Sequence, residues 1–368
     1  MALQQIPSPI FANTQTIWRI GGQEFGFQSA KQDPNRWVWD AEKARRVVHF
    51  INKNIYHVRG SLRGELIDLM PWLLACTCEL FGWVDKETGF RRYLEFYGEV
   101  GRKNSKTLWN AGLVDAALTV LWPQGGAECF MLAGNELQAS NAFRMANEQI
   151  EMAKKFGGQL HKHLIGKDSL LRIENLHNDS FAQVLTSAPE EMHDIKNRKL
   201  LTALRTGSVS LDESLFSMIS TAGDDLTSVG YSERTYANKV IEGLIENDRY
   251  CSIIFAANEK DDPHSPETWA KANPGLGISV RLDQLKNIHD KAWAMHTGGA
   301  GDITQGGEDD VSWTEFLRYH LNLWTTKSSG YISTKAWQDC YDEDVLKKYG
   351  REGVIAYGGL DLAESLAM

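Results

Sequence analysis

A chain of 368 residues, 42% hydrophobic and 24% charged, has the make-up of a soluble globular protein and is long enough for one large core or two domains. Its net charge of −9 argues against a passive nucleic-acid coat, but not against a motor with a local basic strip, because salt confines charge effects to about 10 Å. Five cysteines, an odd and sparse set, exclude a disulfide scaffold and point to a reducing compartment.

In chain order, residues 1–40 carry scattered Pro and Gln and read as an N-terminal arm without a basic-then-apolar signal. Residues 41–52 and 71–83 have helical apolar spacing, and Cys76 and Cys78 within the second read as core thiols. Asp68, Pro71 and Glu79 interrupt the only long apolar run, so no membrane span is expected. Residues 93–100 have strand-like spacing and are rich in aromatics, and from Leu108 the pattern turns helical. Residues 127–133 read as a buried strand and 136–156 as a long helix. His161 and His163 flank a lysine with no cysteine nearby, which does not suggest zinc.

Residues 170–176 and 181–186 alternate like paired strands, and 192–204 is helical. Residues 215–220 form another buried strand, 231–245 a helix, and 250–256 a strand. The Gly- and Asp-rich stretch 297–310 reads as a mobile loop, 317–324 as a helix, and 353–362 as the first strand of something new. Strands alternating with helices imply an α/β fold with an open, mostly parallel sheet. Local basic strips are Arg91–Arg92, Arg102–Lys103, and the group Lys196, Arg198, Lys199 and Arg205, the last read first as solvated surface.

The stretch from Tyr93 to Thr107 carries the most chemistry. It reads as a strand, a tight loop, then Lys-Thr opening a helix. Free N–H groups and a partial positive charge at a helix N-terminus attract phosphate. Lys106 would reach the β- and γ-phosphates and the Thr107 hydroxyl would hold Mg²⁺. Against the pattern G-x-x-x-x-G-K-[ST], the aligned residues Val100-Gly-Arg-Lys-Asn-Ser105-Lys-Thr replace both glycines, with Gly101 one place late. The plain alternative is a basic loop on a solvated surface.

Four further segments occur in order: Ile219-Ser-Thr-Ala-Gly223, Pro266-Glu-Thr-Trp269 with Ala272-Asn-Pro274 and Leu276-Gly277, Tyr319-His-Leu-Asn-Leu-Trp324, and Tyr357-Gly-Gly-Leu-Asp361-Leu. With the loop, over residues 45–363, the chain resembles the large terminase subunit of tailed bacteriophages, the ATP-driven motor that packages double-stranded DNA into a procapsid. That resemblance implies a P-loop NTPase core over 41–330, with its helical lid or linker, and only the start of an RNase H-like nuclease domain over 331–368.

It implies ATP and Mg²⁺ at a deviant Walker A loop, with Gly101, Arg102, Lys103, Asn104, Ser105, Lys106 and Thr107 around the nucleotide. Trp72 would lie near the adenine, although Leu73 stands where a base-reading Gln is common. Lys106, Arg102 and Glu191 would be catalytic. Ser220, Thr221 and Gly223 would couple hydrolysis to movement, and Asp361 would be the first nuclease metal ligand. The implied setting is the cytoplasm of an infected bacterium. The implied partners are DNA, a portal protein, a small terminase subunit and further copies in a ring, with Arg144 or Arg205 as candidates for an arginine acting in trans.

The largest departure is the missing apolar strand ending in Asp-Glu, which this class uses to order Mg²⁺ and the attacking water. Between Phe181 and Leu215 there is only Ala188-Pro-Glu-Glu191-Met-His193-Asp194, and Pro189 does not suit the end of a central strand. A segment is therefore expected to be missing near 189–191. The plain alternative for Glu190 and Glu191 is an acidic helix N-terminus, and for Asp361 a polar strand end. With one carboxylate and nearby Glu364, the remaining nuclease ligands are expected past Met368. Two other readings stay open: another P-loop DNA-dependent ATPase such as a helicase, and a degenerate, non-catalytic adaptor for a DNA end or portal.

Overall fold

Three short strands open the chain: β1 (Ile10–Ala12), β2 (Gln15–Ile20) and β3 (Gln23–Gln28). They form an antiparallel meander where an arm was expected. Gly21 and Gly22 both have positive φ, the requirement of the two-residue turn that matches strand twist. Trp18 faces Phe25 across the pair, and both are buried. The computed structural model describes residues 7–12, 15–28, 33, 35–122, 125–133, 136–185, 198–208, 210–297 and 311–325. All of these fall in the first of two units, 1–325.

Strand β4 (Trp37–Trp39) leads into α1 (Ala41–Asn54), whose first amides are capped by the Asp40 carboxylate. Helix α2 (Pro71–Gly82) starts with proline at N1, where no N–H is missed, and is buried on every face from Trp72 onward. Its Cys76 and Cys78 are core thiols. Strand β5 (Trp83–Asp85) pairs β4. The one carboxylate inside this helix, Glu79, is fully buried and accepts hydrogen bonds from Trp18 Nε1 (2.9 Å), Trp83 Nε1 (3.2 Å) and Tyr93 Oη (2.5 Å). It thereby ties β2, β5 and the lead into the next strand to one helix, and burial pushes its pKa up despite those donors.

The strand expected over 93–100 is β6 (Glu95–Glu99), followed by α3 (Lys106–Ala116) and a π-helical turn (Ala117–Leu121). Then come β7 (Glu128–Met131), α4 (Glu136–Phe156), β8 (Leu164–Lys167), β9 (Arg172–Asn175) and β10 (Phe181–Val184). The chain continues through α5 (Arg198–Gly207), β11 (Phe216–Ser220), α6 (Val229–Ile241) and β12 (Tyr250–Ile254). It closes with α7 (Pro266–Ala272), α8 (Leu282–His296) and α9 (Trp313–His320). Among the described residues no helix is long and apolar enough to cross a membrane.

Strand β6 is the axis of a parallel sheet of order β11-β6-β12. A second sheet, β7-β10-β9-β8, pairs β10 parallel to β7 and antiparallel to β9. The fold is therefore α/β with parallel strands, as the alternation of elements implied, but the described strands make separate hydrogen-bonded sheets. Among the described residues no strand pairs the outer edge of β11 or of β7. This explains a departure from expectation at 127–133: β7 is not a buried strand, because Glu128 and Phe130 are exposed on an open edge. Likewise β11 is half-buried along its length.

The last helix also begins earlier than expected. A reciprocal capping box between Ser312 and Glu315 fixes its start, and it ends at His320, so 321–324 runs on as non-helical chain. Glu190, Glu191, 297-neighbouring residues 298–310, and Asp361 lie outside the described residues.

Replacing Glu79 with Leu would leave two indole N–H groups and a phenol without their buried acceptor, at about 1–3 kcal/mol for each orphaned donor. Thermal unfolding of E79L is expected to show a large fall in Tm, whereas an unchanged Tm would mean that the hub is not what ties these elements together.

Candidate phosphate-binding site

Glu99 ends β6 in full burial, and the chain then turns through residues 100–105 before α3. Lys103 (φ 69°) and Ser105 (φ 60°) are both left-handed, a backbone form of the kind that occurs in anion-binding nests. No side chain caps the first turn of α3, which leaves its N–H groups for an external acceptor. Ser105 thus stands where the usual pattern has glycine, in the conformation for which glycine is used.

Gly101 is needed for a different reason. A Cβ there would lie 2.7 Å from Asn273 Oδ1, 3.2 Å from the Ala272 carbonyl and 3.3 Å from the Tyr319 carbonyl. The loop backbone is tied to those segments: Gly101 N–H donates to Ala272 O (3.2 Å), and Arg102 N–H to Tyr319 O (2.7 Å). Asn104 is fully buried, donating to Gly101 O (3.1 Å) and Asn273 Oδ1 (3.0 Å) while accepting from Gly275 N–H (3.0 Å). Its side chain therefore holds the loop's shape, and only its backbone remains for phosphate.

Lys106 Nζ donates to Val100 O (2.6 Å), Gly101 O (2.9 Å) and Thr221 Oγ1 (2.5 Å). Burial and the nearby Arg102 guanidinium push its pKa down to about 7, against the pull of Glu99. Thr107, on the outer side of the same turn, is exposed. Thr221 also donates to Val100 O (3.0 Å), and Val100 N–H donates to Ser220 O (3.2 Å), so the expected coupling residues touch the loop directly. Ser220 Oγ itself turns back onto the Thr221 carbonyl. Gly223 lies under the Trp324 ring, which a Cβ would meet at 2.9 Å.

Beneath the loop, Glu99 accepts from Tyr97 Oη (2.6 Å) and Trp324 Nε1 (3.2 Å) and pairs with Arg234 of α6. Asn322, also fully buried, accepts from Ala222 N–H (2.7 Å) and donates to Phe255 O (2.7 Å), joining the ends of β11 and β12. Sequence reasoning passed over Glu99, Asn273, Tyr319, Asn322 and Trp324 as site residues. Three of these lie in the segment 319–324 and one in 272–274, runs already conspicuous in the sequence.

Two expectations change. Trp72 is buried in the core, edge-on to Phe255 at 5.6 Å with its N–H on Met70 Sδ, so its ring has no free face for a base. Arg205 is held by a two-pronged contact with Glu233 (2.9 Å each) and by Glu95 (2.9 Å), so it is committed within its own chain. Arg144 is exposed on α4. Among the described residues no group of three or more His, Cys, Asp or Glu side chains forms a metal centre.

Two family models match the chain: terminase large subunit, ATPase domain, over residues 71–171, and terminase large subunit, endonuclease domain, over residues 244–365. The first contains the phosphate loop. The second includes α7 and α9, which hold that loop from outside. Protein YmfN of Escherichia coli (strain K12) is 28% identical over 181 residues, 49% of this chain and 36% of that protein. The crystal structure of the HK97 bacteriophage large terminase superposes with a TM-score of 0.61 at 18% identity, covering 81% of this chain and 58% of that one. The chain thus spans about a third of its curated relative and just over half of the solved structure.

Two outcomes follow from the loop geometry. Ser105→Gly is expected to stabilise the protein by roughly 0.5–1 kcal/mol, the left-handed cost less glycine's added chain entropy, which denaturant titration would detect. For Lys106, the folded state binds fewer protons than the unfolded state between pH about 7 and the ordinary lysine value of 10.5. Stability should therefore rise with pH across that window, and Lys106→Met should remove that part of the slope.

Proposed function

We propose that this chain, which belongs to the terminase large-subunit family, binds ATP at residues 101–107 and uses its hydrolysis to drive double-stranded DNA into a procapsid. One observation carries the reading. A loop with two left-handed residues joins the central parallel strand to an uncapped helix that opens with Lys106, and Thr221, just past the adjacent strand, is in direct contact with that lysine.

The residues present suit a triphosphate with its Mg²⁺. The first-turn amides of α3 lack a cap, the Thr107 hydroxyl is exposed beside them, and Gly101 lets the backbone pack without a side chain in the way. Thr107 would hold the Mg²⁺, which when bound neutralises charge on the phosphate oxygens. Lys106 would exchange its two carbonyl partners for phosphate oxygens. Moving off Thr221 in doing so, it would alter β11, so that the state of the nucleotide is felt at Gly223 and Trp324. Arg102 would add positive charge from the same loop. Glu191 is proposed to orient the attacking water and Asp361 to hold a metal of the nuclease domain.

Partners in this reading are DNA, a portal protein, a small terminase subunit and further copies in a ring in the bacterial cytoplasm, with Arg144 the remaining candidate for an arginine acting in trans. Phosphate contacts to DNA should weaken as salt rises.

A second reading has its own support. Val100 and Ser105 stand where the usual phosphate-loop pattern has its two glycines. That arrangement suits a nucleotide-binding adaptor without turnover.

ATPase assays with Mg²⁺ and double-stranded DNA separate the two. The motor reading expects turnover that Lys106→Ala abolishes and Glu191→Gln lowers by orders of magnitude, with the fold unchanged by circular dichroism. Turnover that survives K106A would refute the site. Nucleotide binding without turnover in the unaltered chain would favour the adaptor.

A further inference from the structure

Arg102 and Lys103 are exposed cations of the loop, yet the Arg102 guanidinium does not stand free. It lies on the ring of Tyr319, 3.2 Å from the centroid. The backbone underneath is fixed at the same place, since Arg102 N–H donates to Tyr319 O (2.7 Å) and Asn273 Nδ2 donates to the next carbonyl, that of His320 (2.7 Å). The ring is held from its own helix as well. Arg318 also rests on it at 4.7 Å and is ion-paired to Asp224 (2.5 Å), the residue after Gly223. Tyr319 therefore cannot drift away from Arg102 without disturbing both the loop and the end of β11.

We propose that Tyr319 is a positioning residue: it holds the Arg102 guanidinium aside in the ligand-free protein and releases it when a triphosphate occupies the loop. The inference rests on the nucleotide reading above. Its physical basis is a competition. An aromatic face attracts a guanidinium through the ring quadrupole, an interaction of modest strength at an exposed site. A phosphate oxygen offers charge-assisted hydrogen bonds, which are stronger. The ring thus loses to a bound triphosphate but wins over water, and the ring contact lowers the apparent affinity for nucleotide. Arg102 is near enough to Lys106 to push that lysine's pKa down. Holding the guanidinium off the loop also limits repulsion between the two cations until an anion is present.

The test is a double-mutant cycle on the full chain, with binding of a non-hydrolysable ATP analogue and Mg²⁺ measured by calorimetry. Tyr319→Leu is expected to bind about two- to five-fold tighter, the factor set by an exposed cation–π contact. Tyr319→Phe, which keeps the ring, should match the parent, and Tyr319→Trp should bind more weakly. All these differences should vanish in an Arg102→Ala background. A Tyr319→Leu effect of the same size with or without Arg102, or any weakening of binding by that change, would overturn the inference while leaving the nucleotide site intact. Should Tyr319→Leu fail to fold, the Phe and Trp comparison with and without Arg102 decides the matter. Absence of analogue binding by the parent chain would sink the nucleotide reading and this inference with it.

Discussion

The phosphate loop keeps its shape because segments far along the chain grip it. Asn104 and Asn273, 169 positions apart, share a hydrogen bond in full burial. The carbonyls of Ala272 and Tyr319 take the amides of Gly101 and Arg102. Two left-handed non-glycine residues would otherwise cost the loop roughly 1–3 kcal/mol each, and this frame of buried polar contacts is what over-determines them. Gly101 follows from the same constraint: with two backbone carbonyls and the Asn273 Oδ1 packed around it, no Cβ fits.

Below the loop the same economy recurs. Glu99 sits fully buried at the end of the central strand, and its charge is met by Arg234, Tyr97 and Trp324. Those partners come from α6, from β6 itself and from the segment after α9. Trp324 also covers Gly223, and Asn322 bridges the ends of β11 and β12. Contacts thus run without a break from Lys106 and Thr221 to Trp324 near the end of the described residues. The region matched by the endonuclease-domain model begins well before Trp324, at residue 244. Ala272, Asn273 and Tyr319, which brace the loop, fall within that matched region.

The two sheets place a second demand on the fold. β6 has neighbours on both sides, whereas β11 and β7 each present an edge unpaired among the described residues. Edge strands read differently from central ones, which is why residues 127–133, apolar enough for a core strand, turn out to be partly exposed.

Much of this was legible in the chain itself. The change from strand spacing before Glu99 to helical spacing after Leu108 located the loop, and Lys106 and Thr107 are chemically specific enough to suggest its ligand. The capping box of Ser312 and Glu315 went unread although its residues are a single turn apart, and the last helix was expected four residues too late. The order of conspicuous runs, from Ile219 to Trp324, pointed to the family. What the sequence could not determine by itself was what those runs do. That Asn273 braces Asn104, that Tyr319 carries Arg102, that Trp72 is closed into the core and that Arg205 is spent on Glu233 are matters of side chains meeting far along the chain, well over a hundred residues apart in the first three cases and 28 in the last. Periodicity and motif spacing report only on neighbours along the chain. Which distant polar groups satisfy one another, and which cation is left to meet a ligand, is decided only when burial forces each of them to find a partner.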